Sequence, residues 1–409
     1  MKKVIVVGGG AAGMMAAVKA SENATVCLIE RNDKLGKKLF ITGKGRCNVT
    51  NACDTQEFFD NCIRNYKFLY SSIYGFDSSK VMEFFEDNGC PLKIERGQRV
   101  FPESDHSSDI IRTLERTLMN NGVEILKNTA VRDIIVEDGS CCGIITDKNV
   151  MMRADAVILA TGGKSYPVTG SDGNMHRVLE RHGFNIINMR PGLVPLNIEE
   201  HECSDLSGMS LKNVSLELII NNKSIYSGFG EMMFTHFGIT GPLVLSASSI
   251  YNGKYYGNKA RALIDFKPAL TMEQLDKRLL RDFEDNKNKQ IRNALSSLLL
   301  QKLISPVLQR ADIDPVKAVN EITREERARL AGVVKGFELT VSGTRDFNEA
   351  IITIGGVDVK NINPATMESK TVKNLYMAGE MLDVDGYTGG FNLQIAWSTG
   401  NNAGESASI

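Results

Sequence analysis

The sequence lacks the patterns that mark membrane, metal-binding and disulfide-stapled proteins. Its 409 residues contain no apolar run close to the ~20 residues that span a bilayer. The eight cysteines include no CxxC pair, and the five histidines form no HxxxH pair and no cluster with cysteine. We therefore expect reduced thiols, no metal site and no membrane association. No GxSxG follows a strand-like segment, which argues against a serine hydrolase.

The chain also lacks an excess of charge of one sign. Its 48 Lys and Arg residues against 49 Asp and Glu residues leave a net charge of −1. No global field attracts nucleic acid, so any such contact has to be local, and we expect a small-molecule substrate instead. Residues 1–3 lead directly into the strand-like segment 4–7 without a signal-peptide pattern, and we expect a cytoplasmic location.

Glycine is the residue type that is present in excess. The chain has 37 glycines in 409 residues, about 9%, where about 7% is usual. Residues 1–50, 155–173 and 332–404 together hold 22 of them. Glycine is favoured where the backbone adopts a positive φ or where another group approaches it closely. These three segments are therefore candidates for the wall of a ligand site.

The first of these segments contains a dinucleotide-binding fingerprint. Residues 8–13 read GGGAAG, directly after the strand-like segment 4–7 and directly before a helix-like segment. Gly8 permits a tight turn, Gly10 lets backbone amides approach a pyrophosphate, and Gly13 lets the helix pack on the sheet. Glu30 ends the next strand-like segment, where it can accept hydrogen bonds from ribose hydroxyls. The pattern predicts an ADP moiety, which FAD and NAD both carry.

A basic loop follows at residues 36–51. Lys44 and Arg46 could balance the charge of a phosphate or a reduced flavin, and Asn48 could bind the edge of a ring. A solvated basic turn explains the same composition. Cys47 has no resolving cysteine at CxxC spacing, so we interpret it as a structural thiol.

Two further segments end strands in small or acidic residues. Residues 158–167 leave a buried strand through Thr161 and two glycines, where the chain could pass close to a cofactor or simply enter a turn. In residues 375–394, Glu380 could hold a ribityl hydroxyl, and a glycine turn opens a helix. The dipole of that helix and the amides of Asn392 and Leu393 could stabilise a reduced flavin.

With these segments in view, the chain resembles the BaiN-like family of NAD(P)/FAD-dependent oxidoreductases, flavoproteins whose namesake reduces bile-acid dienones. The resemblance covers nearly the whole length and rests on seven motifs in one order. They are GGGAAG at 8–13, KLFITGKGRCNVTN at 38–51, GQRVFP at 97–102, ATGGKSYPVTGSDG at 160–173, THFGITGP at 235–242, TIGGV at 353–357 and ESKTVKNLYMAGEMLDVDGYTGGFNLQIAWSTG at 368–400.

The resemblance implies an α/β fold in which a Rossmann-type FAD-binding domain is interrupted by an insert. The two parts of the FAD-binding domain are expected at residues 1–194 and 346–409. The insert is expected to be a small β-barrel that carries a helical bundle. Its parts are the barrel segment 195–267, the helical bundle 268–333 and the return strand 334–345. The change from mixed to strand-like patterns near residue 195 agrees with this division, and the capping-box patterns at Thr271 and Thr323 predict helix starts in the bundle.

Carried onto matching positions, the resemblance also implies a set of FAD contacts. Val131 enters the set only through its backbone, as a contact to adenine. The expected cofactor-binding residues are Gly8, Gly10, Ala11, Ala12, Gly13, Glu30, Arg31, Lys38, Gly43, Arg46, Asn48, Val131, Thr161, Gly162, Gly379, Glu380, Asp383, Gly390, Asn392 and Leu393.

We expect the reaction to be reduction of an activated C=C bond, an enone or dienone, in a small hydrophobic substrate such as a 3-oxo bile acid or steroid. Reduced flavin would give the hydride, and a protein acid would supply the proton. Tyr387, Tyr166 and His236 are the candidate proton donors, although packing roles explain each of them as well. No second GxGxxG opens a strand–helix unit, so NADH or NADPH is expected to bind transiently over the flavin.

Two alternatives stay open. A flavin-dependent oxidase or hydroxylase would use the same cofactor site. A flavoprotein that acts on RNA would bind it through the insert, where basic residues cluster between positions 277 and 292. Acidic residues between 273 and 285 interleave with them, which favours an ordinary solvated helix face and makes nucleic acid the less favoured partner. The sequence does not set the oligomeric state.

Overall fold

The computed structural model describes residues 1–409, which form 21 strands and 14 α-helices joined by loops and short 3-10 turns. The strands are β1 (Lys3–Val7), β2 (Thr25–Ile29), β3 (Thr50–Asn51), β4 (Cys62–Arg64), β5 (Leu92–Glu95), β6 (Arg99–Pro102), β7 (Glu124–Leu126), β8 (Val131–Glu137), β9 (Ser140–Thr146), β10 (Met151–Arg153), β11 (Ala156–Leu159), β12 (Ile186–Gly192), β13 (Leu196–Ile198), β14 (Ser210–Ile220), β15 (Lys223–Thr235), β16 (Gly238–Thr240), β17 (Ala260–Asp265), β18 (Phe337–Thr344), β19 (Ile352–Val357), β20 (Leu375–Met377) and β21 (Asp385–Gly386).

Helices and strands are interspersed in the first 180 residues, and four helices follow one another between β17 and β18. They are α1 (Ala11–Ala20), α2 (Lys37–Ile41), α3 (Thr55–Asp60), α4 (Tyr70–Gly75), α5 (Ser78–Asp87), α6 (Ser107–Asn120), α7 (Asn174–Arg181), α8 (Glu202–Asp205), α9 (Pro242–Lys254), α10 (Met272–Glu284), α11 (Ile291–Ala294), α12 (Gln301–Arg310), α13 (Arg324–Lys335) and α14 (Phe391–Ser408).

The chain divides into two compact units. The first unit combines Met1–Gly192 with Phe347–Ile409, and the second unit is Leu193–Asp346. Each unit has its own cluster of buried apolar side chains. The second unit is thus inserted, as one continuous segment, into the chain of the first.

A parallel five-stranded sheet forms the centre of the first unit, in the order β20-β11-β1-β2-β7. The four residues of β11 and the last four of β1 are buried, as expected for strands with both faces covered. The Rossmann-type arrangement places the end of β1, the following glycine loop and the start of α1 at one edge of this sheet. Smaller antiparallel sheets, β8-β9-β10, β3-β6-β5, β12-β19 and β4-β21, complete the unit.

The last helix packs on the first. A Cβ atom on Gly400 would lie 2.4 Å from the carbonyl oxygen of Ala12, and one on Gly404 would lie 2.3 Å from that of Ala16. The backbones of α1 and α14 therefore touch along one small-residue stripe. This contact joins the two chain segments of the first unit.

The second unit is a closed barrel with helices. Its strands follow the order β13-β16-β15-β14-β17-β18, and β18 closes onto β13. Helices α10–α13 lie between β17 and β18 in the chain and share one apolar core with the barrel. Both predicted capping boxes are present, because Thr271 and Thr323 each begin a helix with reciprocal side-chain hydrogen bonds. The predicted fold class, a Rossmann-type domain with an inserted barrel that carries helices, is confirmed.

None of the helices combines the length and the apolar character that a bilayer crossing requires.

Candidate functional site

The glycine loop after β1 is shaped by close approaches. Gly8 has φ +104°, and a Cβ atom there would lie 2.5 Å from the carbonyl oxygen of Ala160. A Cβ atom on Gly13 would lie 1.8 Å from the carbonyl oxygen of Gly8. Gly10 differs, because a Cβ atom there would meet nothing within 4 Å. The loop is thus tight against the sheet and open in front of Gly10, the N-cap of α1, where helix amides favour an anion.

Glu30 ties the end of β2 to this loop. Its side chain is buried, with 7% of its surface exposed. One carboxylate oxygen, Oε2, accepts a 2.7 Å hydrogen bond from the amide of Gly9, and Oε1 accepts two from Asn32. Oε2 still has capacity for one donor. The neighbouring Arg31 is engaged elsewhere, in a 2.5 Å ion pair with Asp172.

Lys38 and Glu380, two of the expected cofactor-binding residues, contact each other. The Lys38 ammonium lies 2.5 Å from Oε2 of Glu380. Oε1 of Glu380 accepts hydrogen bonds from the Ser165 hydroxyl at 2.6 Å and the Thr353 amide at 2.8 Å. Thr353 Oγ1 in turn accepts the amide of Ser165. This network binds the loop after β11 to β19 and leaves both Glu380 oxygens occupied by protein donors.

The start of α14 is a second helix N-terminus among the expected cofactor-binding residues. Gly390, its N-cap, has φ +106°, and a Cβ atom there would lie 2.4 Å from the Thr50 carbonyl. The side chain of Asn392 holds the preceding turn, since it accepts from the Gly386 amide at 3.0 Å and donates to the carbonyls of Gly386 and Tyr387. The first-turn amides, which include those of Asn392 and Leu393, have no intrahelical acceptors.

Two expected cofactor-binding residues carry buried oxygens without a hydrogen-bond partner. They are Oδ1 of Asn48 and Oδ1 of Asp383. The other oxygen of Asp383, Oδ2, accepts from Asn65 at 3.0 Å. Burial raises the pKa of Asp383, and the charge of Arg64 partly opposes this rise. Buried polar atoms are rarely left unpaired in proteins, so these two oxygens are suited to donors from a ligand.

A buried ion pair lies two residues beyond Asp383. Arg64 Nη1 is 2.5 Å from Oδ1 and 2.6 Å from Oδ2 of Asp385, and the Asp385 side chain is only 2% exposed. Burial raises the pKa of Asp385 to about 6, and Arg64 opposes the rise. Tyr387 follows on the same turn. Burial raises its pKa, Asp385 adds to the rise, and Arg64 opposes it.

The three candidate proton donors lie in different places. Tyr387 follows β21, and Tyr166 lies in the loop after β11 with φ +50°, its amide bonded to the Phe347 carbonyl. Both belong to the first unit. His236 belongs to the second unit, in the turn between β15 and β16, where its ring meets Phe237 edge to face.

In the basic loop of residues 36–51, the side chain of Arg46 is bound by other residues of the protein. The Arg46 guanidinium pairs with Glu95 and Asp105, each at 2.5 Å, and lies 4.1 Å from the centre of the Phe101 ring. Its charge is therefore neutralised inside the protein, and its role toward a cofactor stays a prediction. Cys47 is fully buried, and burial raises its pKa to about 12, so it is a thiol at neutral pH.

Four other expected cofactor-binding residues have no polar side chain and could contact a cofactor only through their backbone or by packing. Val131 begins β8 and Gly43 has φ +56° in the basic loop. Gly162 has φ +72° in the loop after β11, and the Gly379 amide donates to the Thr399 hydroxyl at 2.9 Å. No group of three His, Cys, Asp or Glu residues could hold a metal ion. All eight cysteines are free, and seven of them are buried.

Comparison with known proteins places the chain in a family. The family model "HI0933-like protein Rossmann domain" matches residues 2–406. The chain belongs to the HI0933-like family. This HI0933-like protein is 30% identical over 411 residues to the 3-dehydro-bile acid delta(4,6)-reductase of Clostridium scindens, across 100% of this chain and 99% of the relative. The predicted resemblance is thereby confirmed.

Two further comparisons extend this result. The HI0933-like chain is 28% identical to the ribosomal RNA dihydrouridine synthase of Haemophilus influenzae, across 97% of this chain and 96% of the relative. Among solved structures, the 3-ketosteroid delta1-dehydrogenase of Sterolibacterium denitrificans aligns with a TM-score of 0.53 at 13% identity and covers 100% of both chains. At that identity the similarity shows a shared fold.

Four residues of the HI0933-like site escaped the sequence reasoning. Ser165 and Thr353 lie in the motifs at 160–173 and 353–357, but no local pattern indicates that both bind Glu380. Arg64 and Asp385 are 321 positions apart. An arginine in a strand-like stretch and a second acid after Asp383 were the only signals, and neither one specifies its partner.

Proposed function

We propose that the first unit of this HI0933-like protein binds FAD and that the protein is an FAD-dependent oxidoreductase. The observation that carries the proposal is the glycine loop of residues 8–13, tight against the sheet and open in front of Gly10 at the start of α1. Backbone amides and a helix dipole at such a position favour a pyrophosphate. Glu30, with one carboxylate lone pair left, suits a ribose hydroxyl.

The residues present also suit the flavin half of the cofactor. The unpartnered oxygens of Asn48 and Asp383 can accept hydrogen bonds from its ring or its ribityl chain. The amides of Asn392 and Leu393 can face negative charge on the reduced ring. Asp383 has a buried oxygen without a protein donor, whereas each oxygen of Glu380 already accepts at least one. Asp383 is therefore the better candidate for a ribityl hydroxyl, and Glu380 for the support of the surrounding loops.

The favoured reaction is reduction of a C=C bond conjugated to a carbonyl in a small hydrophobic substrate such as a 3-oxo bile acid or steroid, with NADH or NADPH as transient donor. When bound and reduced, FAD supplies the hydride. The names of the two full-length relatives support this reaction class. A delta(4,6)-reductase of a 3-dehydro bile acid and a dihydrouridine synthase both saturate a C=C bond conjugated to a carbonyl. This shared chemistry favours a reductase over an oxidase or hydroxylase.

The chain's own part in this reaction is to hold the substrate carbonyl and to deliver a proton. Tyr387 is the favoured donor, because this residue lies on the turn that follows Asp383 and precedes α14. Burial, the largest cause, raises its pKa and keeps the phenol protonated at neutral pH. Tyr166 is the second candidate in the same unit, and His236, the third candidate, belongs to the second unit.

A second candidate substrate is a uracil base in RNA. The full-length similarity to a ribosomal RNA dihydrouridine synthase favours it. The helical segment supports it only in part, because three of its basic side chains are paired within the chain: Arg278 with Asp282, Lys287 with Glu284, and Arg327 with Asp276. The phosphates of an RNA substrate would have to compete with these three carboxylates.

Anaerobic flavin spectroscopy tests these proposals in sequence. We expect purified protein to carry a yellow flavin that bleaches with NADH or NADPH. Testosterone, a steroid enone, should restore the oxidised spectrum, whereas dihydrotestosterone, which lacks the C=C bond, should not. Reoxidation by an unmodified ribosomal RNA transcript and not by testosterone would favour the RNA substrate. A colourless protein that takes up no added FAD would contradict the cofactor proposal.

A further inference from the structure

The buried pair of Arg64 and Asp385 has no assigned role in cofactor binding. Its side chains are 16% and 2% exposed, and one guanidinium nitrogen bonds both carboxylate oxygens. Buried ion pairs give little net stability, because the cost of removing both charges from water offsets their attraction. An apolar pair of similar volume would hold β4 and β21 together as well. The surroundings of the pair indicate a different use.

The pair lies directly beside the turn that presents Tyr387. Arg64 and Asp385 are register partners in the β4–β21 ladder. The Tyr387 amide donates to the carbonyl of Asn61 at 3.0 Å, and its carbonyl accepts from Asn392 at 3.1 Å. The backbone of Tyr387 is thus fixed on both sides, and its half-buried ring packs against the core of the first unit.

Few charged groups surround the Tyr387 phenol. Besides burial, the charge of Asp385 raises the pKa of the phenol, and the charge of Arg64 opposes this rise. Asp383, Glu380 and the thiol of Cys62 act on Asp385 or are acted on by it. The other elements that pack on β21 are β19, which has no ionisable side chain, and α14, whose one ionisable side chain lies near its C-terminal end.

We propose that Arg64 and Asp385 are positioning residues for Tyr387. Arg64 stabilises the phenolate that remains when Tyr387 gives up its proton, and Asp385 holds the guanidinium in place. This inference rests on the proposed function. In the step concerned, the O–H bond of Tyr387 breaks and a C–H bond forms at the substrate carbon next to the carbonyl. The other carbon would take the hydride that FAD supplies when bound and reduced, and a solvent proton restores the phenol.

Titration of the Tyr387 phenol tests the coupling without any turnover. Tyrosinate absorbance is measured against pH in each protein, and the same curve for its Tyr387→Phe counterpart is subtracted. We expect Arg64→Met to raise the midpoint of Tyr387 and Asp385→Asn to lower it, each by about one pH unit. Shifts in the same direction, or no shift in either variant, would show a purely structural pair and overturn the proposal.

Two further variants keep the test valid if Arg64→Met folds poorly. The double variant Arg64→Met with Asp385→Leu removes both charges, leaves no lone buried carboxylate, and should place the midpoint between those of the single variants. Arg310→Met is the matched control, because Arg310 makes a comparable 2.8 Å pair with Glu202 in the second unit. It should lose stability and leave the titration of Tyr387 unchanged.

The pH profile of flavin reoxidation then tests the role of the pair in proton delivery separately from the proposed function of the protein. With testosterone as the oxidant of the NADH-reduced enzyme, the basic limb of the rate should move with the Tyr387 midpoint in each variant, and Arg64→Lys should restore most of the wild-type profile. Opposite shifts in the titration with an unmoved rate limb would overturn the role in proton delivery. Absence of reoxidation in the wild-type enzyme would instead contradict the proposed function.

Discussion

Gly8 and Gly10 sit two positions apart in one loop and are needed for different reasons. Gly8 has a positive φ and contacts the chain at Ala160, whereas Gly10 has ordinary backbone angles and faces open space. The first glycine therefore serves the fold, and the second serves whatever occupies that space. A sequence fingerprint marks both glycines equally, and only the structure separates these roles.

This difference predicts opposite outcomes for two alanine variants. Gly10→Ala should leave the unfolding temperature nearly unchanged, yet weaken FAD binding about tenfold or more, or about 1.4 kcal/mol. Gly8→Ala should lower the free energy of unfolding by more than about 1 kcal/mol, because alanine is strained at positive φ and clashes with Ala160. Flavin fluorescence titration and thermal unfolding measure the two effects. Equal losses of affinity and stability in both variants would contradict this division.

The buried carboxyl of Asp385 makes stability depend on pH. Its pKa in the folded protein is raised to about 6, above the unfolded value of about 3.9. Folding thus favours the protonated form, and the free energy of unfolding falls as pH rises from about 4 to about 6, by at most about 3 kcal/mol.

Denaturant unfolding of the wild type and Asp385→Asn at several pH values checks this dependence. The variant has no carboxyl to titrate at this position, so its stability relative to the wild type should rise with pH across that window. Parallel stability curves for the two proteins would show that Arg64 keeps the carboxylate charged throughout.

At the scale of elements, local sequence patterns predicted those features that depend only on residues close together in the chain. The β1–α1–β2 unit and the helix starts at Thr271 and Thr323 follow from patterns within a few residues, and the structure contains them. The contact of α1 with α14 could not be predicted, because it joins helices from opposite ends of the chain. The Arg64–Asp385 pair could not be predicted either, because its partners are far apart in the chain and neither one specifies the other.

The contact between these helices predicts the effect of added methyl groups. Gly404→Ala should destabilise the protein by about 1–3 kcal/mol, because its Cβ atom would meet the backbone of Ala16 in α1. Gly332→Ala in α13 is the matched control, since a Cβ atom there meets nothing within 4 Å. Alanine is the better helix former by up to about 1 kcal/mol, so this control should gain stability. Equal effects at the two positions, measured by denaturant unfolding, would contradict the packing argument.

At the scale of the whole molecule, the second unit begins and ends on adjacent strands. Leu196 of β13 pairs with Thr344 of β18, so the two ends of the inserted segment leave the barrel side by side. The barrel is closed and has its own apolar core. Such a segment has the properties of a domain that folds without its host.

We therefore expect residues 193–346 to fold when expressed alone. The isolated segment should unfold cooperatively on heating, as followed by circular dichroism. The first unit, with a short linker in place of the segment, should still bind FAD, because the expected contact residues all lie outside residues 193–346. Loss of flavin from that shortened protein would show that the second unit contributes to cofactor binding.

The distribution of cysteines adds a practical consequence to this two-unit architecture. Cys203 is the only cysteine of the second unit, and the other seven belong to the first. Burial is the largest cause of the raised pKa in every one of these thiols, and Cys203 reaches about 12. A thiol-specific reagent should thus label Cys203 only when the barrel opens. Mass spectrometry of labelled peptides would then time the opening of each unit separately, with no engineered probe.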